Sequence, residues 1–198
     1  MSCPVKKIGL MGGTFDPVHT VHLIAADQAR TSLGLDEVWF IPAHIPPHKR
    51  EKRITDDSHR IAMLKLAIDN HPAFCLSTVE IDTAEMGKPS FTYDTMLYLN
   101  NRYPDTAFYF IIGGDMVEYL HHWNRIDELV QMVRFVALAR PGYLMKHPFG
   151  DRITEVEMPQ LDVSSTMIRN FVSQRRSIRY LVPEAVRLYI EENGLYGS

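Results

Sequence analysis

Two histidines, His19 and His22, follow a glycine-rich segment that comes directly after an apolar stretch typical of a β-strand. This spacing places both side chains on one face of a helix, about one turn apart, so both imidazoles can reach the same phosphate group. Glycine lets the backbone approach a charged ligand closely, and a helix N-terminus attracts anions. The pattern therefore predicts a phosphate-binding site. Its backbone groups come from Gly12, Gly13, Thr14 and Phe15.

Two residues between the glycines and the histidines suit the start of this helix. Pro17 fits the first helical position, where no N–H is needed, and Asp16 is expected to cap the exposed amides. Two other interpretations are open. The segment could be a tight strand-to-helix corner without a ligand, or the two histidines could form a metal site. A zinc site needs further ligands, and Cys3 and Cys75 lack a Cys-x-x-Cys spacing. The segment matches neither the Walker loop nor the dinucleotide-binding fingerprint.

A second group of candidate ligands lies near the other end of the chain, where hydroxyl residues lead into a predicted helix. Free amides and hydroxyls at a helix start can hold phosphate oxygens, and the forked guanidinium of arginine suits them. An ordinary N-cap followed by a solvated arginine is the alternative. The candidates are Ser164, Ser165, Thr166 and Arg169.

Apolar runs alternate with helical patterns along the whole chain, which favours a parallel sheet with helices on its faces. Strands are predicted over residues 5–11, 38–41, 74–81, 108–112, 134–139 and 154–158. Helices are predicted over residues 17–33, with Gly34 as the stop, and over residues 93–102, 165–173 and 183–193. A further helix is predicted to begin at about residue 57. The fold class is therefore α/β, a single Rossmann-like, doubly wound and mainly parallel sheet. Ligands of such sheets bind outside the C-terminal strand ends.

Length and composition limit the classes of protein that this chain can be. Its 198 residues, 45% hydrophobic and 23% charged, suit one globular domain over residues 1–198, with a C-terminal helical part from about residue 164. A net charge of −3 argues against a nucleic-acid partner. No signal peptide or membrane span is recognisable, so no membrane partner is expected. Two cysteines without a disulfide framework suit a reducing cytoplasm.

A local basic segment interrupts this acidic chain. Residues 48–53 carry Lys49, Arg50, Lys52 and Arg53 against one glutamate, a local charge of +3, as phosphorylated substrates would require. The two prolines before it stiffen the loop and favour a fixed role for Lys49. A solvated basic loop is the other interpretation.

Both phosphate motifs resemble those of the His-x-Gly-His nucleotidyltransferase superfamily, whose members transfer a nucleotidyl group from a nucleoside triphosphate to a phosphate or similar acceptor. The first motif covers residues 12–22, with Val21 where the family usually has glycine. The bulkier valine is expected to shift the pocket wall slightly and to leave both imidazoles in place. The second motif covers residues 163–169 and differs from the family's Ile-Ser-Ser-Thr-x-Ile-Arg only in its first residue, Val163.

Between the motifs the chain is similar to one branch of the superfamily, the bacterial nicotinate-nucleotide adenylyltransferases, over nearly all of its length. The residues that carry this similarity, besides Trp123, are Phe40-Ile41-Pro42, Pro46-Pro47-His48-Lys49, Ser58-His59-Arg60, Met63-Leu64, Ser90-Phe91-Thr92-Tyr93-Asp94-Thr95, Ile111-Ile112-Gly113-Gly114-Asp115-Met116, Ala139-Arg140-Pro141-Gly142-Tyr143 and Asn193-Gly194-Leu195-Tyr196. The resemblance implies adenylyl transfer from ATP to nicotinate mononucleotide, giving deamido-NAD and pyrophosphate in NAD biosynthesis. It also implies a requirement for Mg2+, carried by the triphosphate without a metal site on the protein.

The resemblance also implies roles for the candidate residues. The catalytic group is His19, His22, Lys49 and Arg169. The ATP-binding group is Gly12, Gly13, Thr14, Phe15, His19, His22, Gly113, Asp115, Ser164, Ser165, Thr166 and Arg169. The group that binds nicotinate mononucleotide is Thr14, Lys49, Thr92 and Trp123, with an N-cap role for Thr92 and a core position for Trp123 as the alternatives.

Two rival functions share these features. Pantetheine-phosphate adenylyltransferase has both motifs, but it is not expected to carry the Pro-Pro-His-Lys loop. A nucleotide-binding module without catalysis is the other rival, although both histidines and Arg169 are retained. Dimers or larger assemblies are common in such enzymes, so a homo-oligomer is also open.

Overall fold

The computed structural model describes residues 5–44, 54–84, 90–139 and 149–197. The strands in these ranges form one six-stranded sheet: β1 (Lys6–Gly13), β2 (Glu37–Pro42), β3 (Phe74–Leu76), β4 (Thr106–Gly113), β5 (Arg134–Ala139) and β6 (Ile153–Glu157). All neighbouring strands are parallel, in the spatial order β3-β2-β1-β4-β5-β6. The predicted α/β class with a doubly wound parallel sheet is confirmed.

The strand order changes direction between β1 and β4, which lie side by side at the centre of the sheet. Leu10 of β1 pairs with Trp39 on one side and with Phe110 on the other. A crevice forms at such a switch point, outside the carboxyl ends of the strands. The loops that follow Gly13 and Gly113 therefore meet at its rim.

Helices cover both faces of the sheet. One face carries α1 (Thr20–Leu33), α2 (Asp57–Ile68), α7 (Ser165–Ser173) and α8 (Glu184–Glu192), and the other carries α4 (Thr92–Arg102) and α6 (Ile126–Met132). The short helices α3 (Val79–Asp82) and α5 (Gly114–Val117) follow β3 and β4. None of the described helices is both long enough and apolar enough to cross a membrane.

Alternation along β1 divides the core into two apolar clusters. Ile8 and Leu10 are buried on the side of α4 and α6, whereas Met11 is buried on the side of α1 and α2. This is the two-residue period of a strand covered on both faces. The predicted stop of α1 is confirmed, because Gly34 adopts the left-handed conformation at φ 59° and its N–H bonds to the carbonyl of Arg30.

The predicted strand over residues 74–81 is wrong beyond Leu76. Only three of its residues pair with β2, and the N–H of Ser77 donates to the carbonyl of Phe40 where this short edge strand ends. The N–H groups of Ile81 and Asp82 both donate to the carbonyl of Thr78, which closes a helical turn instead. The apolar residues after Leu76 therefore belong to α3.

Candidate active site

The two histidines lie together at the start of α1. His19 is the N-cap residue, in extended conformation, and His22 lies one turn into the helix. The backbone N–H of His19 donates to Nδ1 of His22 over 3.1 Å. Their rings stack with centroids 3.7 Å apart and an interplanar angle of 23°. The structure thus brings the two imidazoles to one place, as the spacing predicts.

The protonation of this pair follows from its surroundings. Because Nδ1 of His22 accepts a hydrogen bond, the proton of a neutral His22 ring is on Nε2, where it can be donated to a ligand. His19 is 5% exposed, and burial lowers its pKa to about 4. Among the described residues nothing bonds to Nδ1 of His19. At neutral pH His19 is therefore an uncharged imidazole.

Phe15 shapes the glycine loop beneath the histidines. It adopts φ 50°, and its buried ring packs edge-on against His22 with a centroid distance of 5.0 Å. A Cβ on Gly13 would lie 2.9 Å from this ring, so the position requires glycine. Val21 packs partly buried against the apolar cluster below α1 and leaves the stacked imidazoles in place.

Asp16 does not cap α1, and that prediction is wrong. Its carboxylate is buried and accepts from the hydroxyl of Tyr196 at 2.7 Å and from the N–H of Thr55 at 3.3 Å. Pro17 is not the first helical residue either, since α1 begins three residues later. The physical reason is that Asp16 is held by partners outside the helix, so the chain completes a turn before His19 takes the cap position.

The second motif contacts the first directly. Arg169 Nη1 donates to the carbonyl of Asp16 at 2.7 Å, and the hydroxyl of Ser165 donates to the carbonyl of Pro17 at 2.9 Å. The hydroxyl of Ser164 caps α7 by accepting from the N–H of Met167, and Thr166 accepts from Arg169 Nη2 at 3.3 Å. The two motifs, about 150 residues apart in sequence, therefore form one site.

Arg60 is a residue of this site that the sequence analysis did not assign. Its side chain is fully buried, and it donates to the carbonyl of Thr14 at 2.7 Å and to that of Thr55 at 3.0 Å. It also forms an ion pair with Asp57. The sequence feature that could have identified Arg60 is its position on the same helix face as Met63 and Leu64, where an apolar residue is expected. A buried arginine with several backbone acceptors implies a fixed structural role.

Two of the residues expected at the acceptor side, Thr92 and Trp123, lie on the α4 and α6 face. Thr92 is the first residue of α4, and Phe91 takes the cap position, so the N-cap interpretation of Thr92 is wrong. Trp123 is partly buried and packs edge-on against Phe110 and Phe135, with centroid distances of 5.8 and 5.9 Å. The tip of the Phe110 ring lies 3.2 Å from where a Cβ on Gly12 would be. One aromatic ring thus separates Trp123 from the glycine loop.

At the carboxyl end of β4, the strand ends at Gly113 and α5 begins. Oδ1 of Asp115 lies 2.7 Å from where a Cβ on Gly113 would be, so this carboxylate needs a glycine there. Asp115 is exposed at the crevice edge. Lys49 and the basic segment of residues 48–53 lie outside the described residues. In the described ranges no group of three or more His, Cys, Asp or Glu side chains is arranged to hold a metal ion.

Comparison with known proteins identifies similar chains. Residues 10–171 match the family model described as cytidylyltransferase-like. The chain is 52% identical to the probable nicotinate-nucleotide adenylyltransferase of Geobacillus thermodenitrificans, over 97% of this chain and 87% of that protein. It is 46% identical to the nicotinate-nucleotide adenylyltransferase of Bacillus subtilis, over 98% of this chain and 100% of that protein.

Solved structures share the fold. A nicotinic acid mononucleotide adenylyltransferase of Plasmodium falciparum, complexed with NaAD, superposes with a TM-score of 0.79 at 22% identity, covering 96% of this chain and 97% of that one. A putative nicotinate-nucleotide adenylyltransferase of Vibrio parahaemolyticus gives a TM-score of 0.72 at 17% identity, covering 98% and 96%. At these identities the likeness concerns the architecture.

The neutral state of His19 predicts an unusual titration. Its ring resonances in an NMR titration should move near pH 4, whereas an ordinary histidine titrates near 6.5. The unfolded chain binds this proton at higher pH than the folded one, so the free energy of unfolding should fall as the pH drops from about 6.5 toward 4. The variant His19→Asn keeps a good N-cap residue and should lose this part of the pH dependence of the free energy of unfolding. A His19 titration at or above 6.5 would contradict the assignment.

Proposed function

The chain belongs to the nicotinate-nucleotide adenylyltransferases of the cytidylyltransferase-like family, and from that premise we propose that it transfers the adenylyl group of ATP to nicotinate mononucleotide. The products are deamido-NAD and pyrophosphate. One observation carries the proposal: Arg169 and Ser165 bond to the carbonyls of Asp16 and Pro17, so a second anion-binding helix start adjoins the glycine loop and its histidines. Such a pair of sites suits a ligand with several phosphate groups.

The reaction is a single in-line displacement. A phosphate oxygen of the mononucleotide forms a bond to the α-phosphorus of ATP, the bond from that phosphorus to the bridging β-phosphate oxygen breaks, and no covalent enzyme intermediate is needed. The protein orients the two substrates and stabilises the developing charge. His22 donates from Nε2 to the reacting phosphate. His19 acts as a neutral hydrogen-bonding imidazole, because burial holds its pKa at about 4.

The ATP side combines both motifs. The amides of Gly12, Gly13 and Phe15 approach the phosphates, and the side chain of Arg169 and the free amides at the start of α7 hold the departing pyrophosphate. The hydroxyls of Ser164 and Ser165 already cap α7 and hold the loop, so these two residues contribute through their backbone N–H groups. The adenosine lies toward Gly113 and Asp115.

The acceptor side uses the α4 start and the aromatic cluster. The N–H and hydroxyl of Thr92 bind the nicotinate carboxylate, because a helix N-terminus favours a negative charge. The exposed part of Trp123 stacks on the pyridine ring. Lys49 and Thr14 bind the phosphate of the mononucleotide. Charge-assisted hydrogen bonds are roughly twice as strong as neutral ones, so this site favours the acid over the amide.

A divalent cation accompanies ATP in nucleotidyl transfer, and we propose that it is magnesium. Magnesium retains water and binds phosphate oxygens readily, so it needs no dedicated protein cage. When bound, the cation neutralises charge on the triphosphate. We also propose that residues 1–198 act as a single domain in the cytoplasm.

Release of pyrophosphate with different acceptors tests the proposed function. With ATP and Mg2+, the protein should turn over with nicotinate mononucleotide, and should not do so with phosphopantetheine or without an acceptor. His22→Ala should lower turnover by roughly 10²–10³, the cost of losing one transition-state donor. His71→Ala is the control, because that ring stacks on Phe74 at the amino end of the edge strand β3, away from the carboxyl ends of the strands. Turnover with phosphopantetheine alone, or full activity of His22→Ala, would contradict the proposal.

Trp123 offers a separate test of the acceptor site. In a Trp39→Phe background Trp123 is the remaining tryptophan, and its fluorescence should change on titration with nicotinate mononucleotide. Trp123→Phe retains an aromatic ring against Phe110 and Phe135, so it should raise the KM for the mononucleotide far less than Trp123→Ala. The KM for ATP should change little in both Trp123 variants. Unchanged emission together with a normal acceptor KM in Trp123→Ala would place the pyridine elsewhere.

A further inference from the structure

Glu80 is a buried carboxyl group that the mechanism above does not use. It lies on α3 and is 9% exposed. The segment before α3 is fixed at the end of β2 by the bond from the N–H of Ser77 to the carbonyl of Phe40. Glu80 therefore lies toward the crevice edge of the sheet, where α4 also begins.

A hydrogen-bond chain connects Glu80 to the start of α4. The hydroxyl of Thr95 is 3.1 Å from Oε1 of Glu80 and 3.3 Å from the carbonyl of Phe91, the cap residue of α4. A hydroxyl has only one proton to donate. When Glu80 carries a proton it can donate to Thr95, and Thr95 can then donate to Phe91. When Glu80 is ionised, both acceptors compete for the one Thr95 proton.

No charged side chain compensates Glu80 within the described residues. Burial raises its pKa to about 7, and hydrogen bonds from Thr95 and Ser90 lower it. On α3, Asp82 is exposed and bonded to the hydroxyl of Thr78, and on α4, Asp94 is exposed. Arg125 lies over the ring of Tyr93 and pairs with Glu128. The charge at Glu80 is therefore set by burial and by what lies at the α4 start.

We propose that Glu80 is a positioning residue for the acceptor and that it takes up a proton when the acceptor carboxylate binds at the start of α4. This inference rests on the proposed function, because it needs a carboxylate near Thr92. An ionised Glu80 beneath that helix turn repels the carboxylate and competes for the positive helix end. Because linkage is reciprocal, the bound carboxylate favours protonated Glu80, and protonation of Glu80 favours binding.

The expected size follows from the geometry. Thr95 lies three residues beyond Thr92, about 4.5 Å along the helix. Because each carboxyl group lies one hydrogen bond from its threonine, the two carboxyl groups are on the order of 9 Å apart. At an effective dielectric constant of about 20, such a pair changes an equilibrium by roughly twentyfold. The KM for nicotinate mononucleotide should therefore rise roughly tenfold as Glu80 ionises between pH 6.5 and 8.5. The KM for ATP should not follow it.

Calorimetry in two buffers with different ionisation enthalpies measures the proton directly. At pH 7, binding of nicotinate mononucleotide to the parent protein should take up as much as about half a proton more than binding to Glu80→Gln. Asp82→Asn, an exposed acid on the same short helix, should behave like the parent. The phosphate of the ligand contributes equally to the proton uptake measured with all three proteins.

The outcomes separate this inference from the function on which it rests. Binding with equal proton uptake in the parent and in Glu80→Gln overturns the role of Glu80 and leaves the acceptor assignment intact. Absence of binding to the parent overturns the proposed function and this inference together. If Glu80→Gln fails to fold, the pH dependence of the two KM values in the parent decides, and a constant KM ratio between pH 6.5 and 8.5 overturns the role.

Discussion

A buried carboxylate at Asp16 is the constraint on which the rest of the site depends. A charge removed from water is tolerated only when hydrogen bonds and nearby cations replace its hydration. Asp16 receives bonds from Tyr196, near the end of the chain, and from Thr55, before α2. Burial and the neighbouring charge of Asp16 raise the pKa of Tyr196, so its hydroxyl remains a donor across the neutral range. Leaving one oxygen of Asp16 without its partner would cost about 1–3 kcal/mol.

The same loop is held by its carbonyl groups. Arg60 in α2 donates to the carbonyl of Thr14, and Arg169 in α7 donates to the backbone carbonyl of Asp16, so both guanidinium groups hold the backbone of this loop. With the loop fixed from three directions, His19 is held at the helix cap and stacks on His22. Rigid placement of hydrogen-bond donors before the substrate arrives is the main means by which proteins stabilise phosphoryl-transfer transition states.

Sequence patterns predicted the sheet well and the site only in part. Periodicity and glycine positions give the strands, the helices and the crevice, because these depend on local spacing. The histidine pair was also predictable, since its geometry is set within one helical turn. By contrast, Asp16 was assigned to the nearest free amides, because its actual partners are 39 and 180 residues away. Arg60 was missed for the same reason: its acceptors belong to a loop that helical periodicity cannot locate.

A double-mutant cycle between Asp16 and Tyr196 tests most directly whether this buried charge organises the site. The kcat/KM for adenylyl transfer is measured for the parent, Asp16→Asn, Tyr196→Phe and the double variant, each shown by circular dichroism to be folded. Tyr196→Phe should lower kcat/KM roughly tenfold in the parent, from the loss of one bond to a charged group, and should have little further effect in Asp16→Asn. Equal losses in both backgrounds would contradict the central role of this contact.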